Sequence, residues 1–231
     1  MSAPAKPHTP LPVLRNVRCK QPWNPKSEAY RLFRKRRNLI RLVASNLLLI
    51  LAFQFFGISG RYAESFQSAP VGDWFHDLIP LMNLNFLVSY GYPLFILLLS
   101  LFFVIEEPKN LNAFVLMMAL CMILRGLFYS MTHLGAPAAR LDDYTNIGGA
   151  SSLNFTQDLF FSGHVAIPFL GFLIAQNRRA KALSLTTSIL MAFGVLAMHT
   201  HYSIDVFGAY FIAFGLYYAI NKYLGRYIAT D

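Results

Sequence analysis

The chain has 231 residues, 55% of them hydrophobic and only 13% charged, with a formal net charge of +9 and a mean hydropathy of +0.43. A soluble domain carries about 25% charged residues, and the apolar residues here come in unbroken runs rather than in helical or strand periods. This excludes an ordinary soluble enzyme and predicts an all-α integral membrane protein.

Residues 1–37 form a basic, proline-rich segment without an apolar stretch of its own, so it is not expected to be a cleavable signal peptide. Arg31 to Arg37 would lie against anionic head groups, at about 1 kcal/mol per basic residue, or serve only as a topology signal. The rest, 38–231, reads as one transmembrane catalytic domain. A hydrocarbon core about 30 Å thick takes roughly 20 helical residues to cross. The segments predicted to do so are Asn38–Ile58, Asn83–Ile105, Leu111–Met131, Leu159–Gln176, Leu183–Met198 and Ser203–Tyr223, giving six transmembrane helices. A β-barrel would show alternating strands of about ten residues, and runs such as Leu94–Val104 do not alternate.

Basic residues set the orientation. Those before Asn38, together with Lys109, Arg178, Arg179, Lys181, Lys222 and Arg226, fall on one side of six spans, against Arg61 and Arg140 on the other. Both termini are therefore expected in the cytoplasm. The same asymmetry accounts for the net charge, which leaves nucleic-acid binding without support. Cys19 and Cys121 fall in the tail and inside the third span, so neither a disulfide nor a cysteine metal site is expected.

Three loops face away from the cytoplasm in this topology. The first, Ser59 to Met82, carries Asp73, Trp74, His76 and Asp77. The second, Thr132 to Asp158, is long and holds Arg140, Asp142, Asp143 and a Gly148-Gly149 turn signal. The third is a few residues around His199 to Tyr202.

Two short motifs flank these loops: Asp158-x-x-x-Ser162-Gly163-His164 and His201-Tyr202-Ser203-Ile204-Asp205. The topology puts both at one membrane face, where they suit phosphoryl transfer. A neutral imidazole can attack phosphorus and form a phosphoenzyme. Asp205, four residues after His201 on one helical face, can hold its far ring nitrogen. His164 can protonate the leaving alkoxide and then deprotonate the acceptor. Ser162 and Gly163 precede a helix, where free N–H groups and the positive dipole end favour phosphate. Plainer roles exist for several of these residues. Asp205 would suit a helix dipole, Arg125 could snorkel, Asp158 could cap the fourth helix and His199 could be a loop residue. His-x-His could suggest zinc, but the pattern requires no metal, and no cofactor is expected.

The joint pattern, extended through Val206-x3-Tyr210, resembles the sphingomyelin synthase-related lipid phosphotransferases within the type-2 phosphatidic acid phosphatase superfamily. Arg125-x6-Thr132 and, more weakly, Asp73-x3-Asp77 resemble further stretches of that family. The likeness runs from about Asn38 to the C-terminus. It implies a triad of His164, His201 and Asp205 with His201 as nucleophile; the substrate site is expected to include Ser162, Gly163, Arg125, Asp158 and Tyr202. The chain departs from the family in having Thr156 and Gln157 where the synthases have Cys-Gly. It also lacks the Lys-x6-Arg-Pro motif of the superfamily's monoester phosphatases and has Val195 in place of their arginine six residues before the nucleophile.

A phosphomonoester is close to a dianion and calls for several cations, so a site with Arg125 as its intramembrane cation fits a phosphodiester better. The outer acids Asp73, Asp77, Asp142, Asp143 and Asp158 could attract a choline or ethanolamine group. The expected activity is transfer of phosphocholine or phosphoethanolamine from a phospholipid to a lipid alcohol such as ceramide. The alternatives are a phosphatase or phospholipase C-like hydrolase using water, or a non-enzymatic lipid-binding or scrambling protein. A bacterial inner membrane is the expected location, otherwise an endomembrane, with the site facing the periplasm or lumen.

Overall fold

The computed structural model describes residues 34–66, 68–141, 155 and 159–228. These are helical, with no strand among them. In chain order the helices are α1 (Arg36–Glu64), the short α2 (Trp74–Leu78), a π-helical turn (Phe86–Gly91) leading directly into α3 (Tyr92–Ile105), α4 (Pro108–Met131), α5 (Gly163–Ile174), α6 (Arg178–Ala197) and α7 (Ser203–Ile228). Five segments are long and apolar enough to cross a membrane: Arg36–Glu64, Phe86–Ile105, Pro108–Met131, Arg178–Ala197 and Ser203–Gly225. The chain is an integral, multi-pass membrane protein.

The fourth expected span differs. Its helix α5 has 12 residues, about 18 Å at 1.5 Å per residue, well short of a 30 Å core. Residues 159–162 stay out of the helix because they are used elsewhere. Ser162 N–H donates to the carbonyl of Asp205 at 3.1 Å, and Leu159 lends its carbonyl to His201.

Other boundaries also move. α1 runs past Ile58 to Glu64, carried by Ser59, Gly60 and Ala63, which are buried. A Cβ at Gly60 would come within 2.2 Å of the Phe155 ring, so the glycine admits that ring instead of ending the helix. α6 starts at Arg178 rather than Leu183, because Asn177 caps it by accepting from Arg179 N–H at 2.8 Å. Apolar runs mark where a helix is greasy, not where it begins.

α4 is the axis of the bundle, with Phe114, Met117, Ala119, Cys121 and Tyr129 all buried. α1 lies parallel to it: Ser45 bonds Asn112 at 2.9 Å, and Phe56 packs on Tyr129 with ring centroids 5.4 Å apart. Gly126 lets the two approach, since a Cβ there would meet the Phe55 ring at 2.7 Å, the use of small residues that membrane helices favour. α5 packs on α6, where Ser188 donates to the Val165 carbonyl at 2.9 Å. Outward-facing Leu47, Leu51, Leu97, Phe211 and Phe214 are exposed, as suits surface meeting hydrocarbon.

Helix ends gather into two groups. At one end Glu107, before α4, accepts from the backbone N–H groups of Gln176 and Asn177 between α5 and α6. At the other end, Met82 N–H reaches the Ala197 carbonyl, Leu141 N–H reaches that of Met198, and the two polar motifs come together.

Candidate active site

α7 brings a nucleophile candidate and its carboxylate into one turn. Ser203 is the first helical residue, so Tyr202 is the N-cap and Asp205 the third position. An acid there can reach back to the N-cap N–H, half of a capping box. Asp205 Oδ2 does so, accepting from Tyr202 N–H at 2.9 Å. The same oxygen lies 3.4 Å from His201 Nδ1, and the Leu159 carbonyl is 3.0 Å from that nitrogen. Both neighbours of Nδ1 can only accept, so Nδ1 carries the proton and the lone pair is on Nε2. A helix-start acid and an imidazole orienter are thus one carboxylate.

His164 faces this group from the first turn of α5. Its ring centroid is 6.5 Å from that of His201, which keeps the two rings outside the roughly 3 Å of a direct hydrogen bond. Ser162 occupies the N-cap of α5, yet its hydroxyl makes no cap. Fully buried Ser162 Oγ, His164 Nδ1 and Asp205 Oδ1 have no hydrogen-bond partner among the described residues. Such buried polar atoms are rare, and these three belong to the two polar motifs.

Arg125, six residues before the end of α4, is buried. Its guanidinium carbon lies over the rings of Phe56 and Tyr129 at 5.1 and 5.2 Å. It also lies against Gly163 so closely that a Cβ there would come within 2.3 Å of Nη1. The glycine is therefore what allows a cation beside the uncapped start of α5.

Tyr202 lies between His201 and the first residue of α7. It is buried, and its hydroxyl accepts from Val71 N–H at 3.1 Å and donates to the Gly135 carbonyl at 2.8 Å. It thus ties the first two loops together. Gly135 is needed there, because a Cβ would lie 2.2 Å from the Ser68 carbonyl. Val195, where the phosphatases have arginine, is buried, and its carbonyl accepts from the N–H groups of Thr200 and His201. Thr132 bonds the Phe128 carbonyl at the end of α4. Asp158, Asp142 and Asp143 lie outside the described residues.

Tyr92 is not part of the sequence motifs, and Asp73, noted in Asp73-x3-Asp77, makes contacts that the motif does not show. Tyr92, at the start of α3, has its ring centroid 4.5 Å from that of His164 and donates to the Gly163 carbonyl at 3.3 Å. Asp73 caps α2 through Phe75 N–H at 2.8 Å and α7 through Ser203 N–H at 2.5 Å. Burial would raise the Asp73 carboxyl, but these bonds hold it below the ordinary value. Both its oxygens are occupied by backbone, which bears on any role for Asp73 in attracting a cationic head group. Only a sequence signal linking residues far apart could have found the contacts of Tyr92 with Gly163 and of Asp73 with Ser203. His199 has φ 53° and stacks on His76, centroids 4.1 Å apart at 12°. Among the described residues, no group of three His, Cys, Asp or Glu is placed to hold a metal ion.

The family model described as PAP2 superfamily C-terminal matches residues 157–222. The match spans both Ser162-Gly163-His164 and His201 to Asp205. It supports similarity to the type-2 phosphatidic acid phosphatase superfamily, and with it an enzyme of the lipid phosphatase or phosphotransferase type. It reaches no further than the superfamily. No curated protein matches the chain.

Proposed function

We propose that the chain is a membrane lipid phosphotransferase. It moves phosphocholine or phosphoethanolamine from a phospholipid to a lipid alcohol such as ceramide, through a phosphohistidine, at the non-cytoplasmic leaflet. The observation that carries this reading is the fixed tautomer of His201, whose Nδ1 lies between two acceptors while His164 stands opposite. Nε2 of His201 attacks the phosphorus of the donor diester. The bond from phosphorus to the diacylglycerol oxygen breaks, and His164 gives that oxygen its proton. Asp205 stabilises the imidazolium cation as it forms. His164 then takes the proton of the acceptor hydroxyl, whose oxygen attacks phosphorus. The P–N bond breaks, and His201 is restored.

The N–H groups at the start of α5 and the guanidinium of Arg125 are the donors for the phosphate oxygens. One cation at the cradle and Val195 in place of a second suit a diester with a single negative charge. The basic helix ends, including Arg36, Arg37, Arg178 and Arg179, lie at the opposite end of the bundle from His201. With six spans, that end faces the cytoplasm and the site faces away from it. Asp158, as a cap or substrate contact of α5, belongs to the same reading.

The test is lipid mass spectrometry after incubating the purified full chain with labelled phosphatidylcholine or phosphatidylethanolamine, with and without ceramide. Labelled head group appearing on ceramide is the expected result. Release of the head-group phosphate to water alone would make the enzyme a hydrolase. Turnover undiminished by His201→Ala would sink the phosphohistidine route, and no turnover by the folded protein would leave a lipid-binding or scrambling role.

A further inference from the structure

The short helix α2 touches the nucleophile's own backbone. His76 Nε2 is 3.0 Å from the carbonyl oxygen of His201. A carbonyl can only accept, so Nε2 of His76 carries the proton and donates it. One turn of chain away, Asp73 of the same segment accepts from Ser203 N–H. These two bonds bracket Tyr202 and anchor the two successive peptide units, 201–202 and 202–203, that join His201 to α7.

The remaining bonds around His201 show why this matters. His201 N–H points to the Val195 carbonyl at 3.4 Å, and Thr200 N–H to the same oxygen at 2.9 Å. Its side chain is held by Leu159 and Asp205. His76 supplies a donor to the backbone carbonyl of that residue. Rotation of the 201–202 peptide would swing the imidazole away from the Asp205 carboxylate, and the bond from His76 opposes that rotation. The His76 ring itself stacks on His199, centroids 4.1 Å apart, and on Tyr202, 5.7 Å apart. His199 reaches its stacking position through a left-handed backbone, φ 53°, a conformation uncommon outside glycine.

We infer that His76 is a positioning residue for the reaction: by donating to the His201 carbonyl, it fixes the nucleophilic imidazole at its attack angle without touching substrate. The inference rests on the proposed role of His201. A misplacement of about 1 Å at a reacting atom costs on the order of 100-fold in rate, so losing this bond is expected to lower kcat roughly 10- to 100-fold with KM nearly unchanged.

The experiment compares the full chain with His76→Phe, His76→Gln and His201→Ala in head-group transfer from labelled phospholipid in detergent-lipid micelles. Phe keeps the ring stack and lacks the donor; the Gln amide can place an N–H near the Nε2 position. The expected result is a kcat loss in His76→Phe, recovery to within about threefold of the parent in His76→Gln, and no activity in His201→Ala. Full activity of His76→Phe beside a dead His201→Ala overturns the positioning role and leaves the phosphohistidine reading intact. Loss in His76→Gln equal to that in His76→Phe also overturns it, as does a loss confined to KM. An active His201→Ala overturns the underlying reading instead. Should His76→Phe not fold, His76→Leu, which equally lacks the donor, takes its place against His76→Gln.

Discussion

The two ends of the helical bundle each turn on a carboxylate, and they use it in opposite ways. Glu107 accepts from Gln176 N–H at 2.9 Å, Asn177 N–H at 2.5 Å and Asn110 Nδ2 at 2.6 Å, and these bonds lie at or near the surface. Both its oxygens are satisfied, and it staples the turn between α5 and α6. Asp205 is fully buried. One of its oxygens is shared between the Tyr202 N–H and the His201 imidazole, and the other has no partner among the described residues. A buried polar atom left unsatisfied costs about 1–3 kcal/mol, and Ser162 and His164 add to that cost. The saturated carboxylate is built for shape; the undersatisfied one is placed to bind something polar.

Substitutions can break this contrast, and the largest effect is expected at Asp205. Asp205→Asn keeps the size and loses the anion that holds Nδ1–H, so turnover should fall on the order of 10³- to 10⁴-fold. A loss below tenfold in the transfer assay would reduce Asp205 to a helix cap. Gly163→Ala comes next. Its methyl would meet Arg125 Nη1 at 2.3 Å, displacing the cation from the start of α5, and turnover should drop roughly 10- to 100-fold. Unchanged kinetics would remove Arg125 from the phosphate cradle.

Glu107→Ala probes the other end. It should lower stability by about 1 kcal/mol, read as a modest fall in Tm, while turnover of the folded protein stays within about twofold. A rate loss as large as that of Gly163→Ala would mean the two ends are not separate in function.

The smallest effect is a pH dependence at His199. Burial and the neighbouring His76 hold its pKa below the ordinary 6.5. Between the lowered value and 6.5 the unfolded chain binds more protons than the folded one, so stability rises with pH there and is lost as pH falls below 6.5. His199→Asn, which tolerates the left-handed backbone, should flatten that part of a Tm-against-pH curve. An unaltered slope would remove His199 as its source.

The two motif halves were legible in the sequence because His164, His201 and Asp205 stand out against apolar surroundings, and the all-α membrane class followed from composition. The helix limits were less so. Gly60 and Arg61 look like a loop, yet α1 continues through them on tertiary packing with Phe155, whereas Leu159 to Ser162 look like helix and serve α7 instead. The contacts of Tyr92 and His76 with the site were not legible because they span 71 and 125 residues of sequence, a distance over which no periodicity carries information. Tyr202, expected at the substrate, has its hydroxyl engaged by Val71 and Gly135, bonds that only the folded loops create.

The central claim is that His201 becomes covalently bonded to phosphorus, and trapping that adduct tests it most directly. The full chain is mixed with phospholipid carrying a labelled phosphate, quenched in base within one turnover, and its peptides are mapped by mass spectrometry. The account predicts label on the peptide containing His201 and none in His201→Ala. Label on another residue, or product formed by the parent chain with no labelled peptide at any quench time, would contradict it.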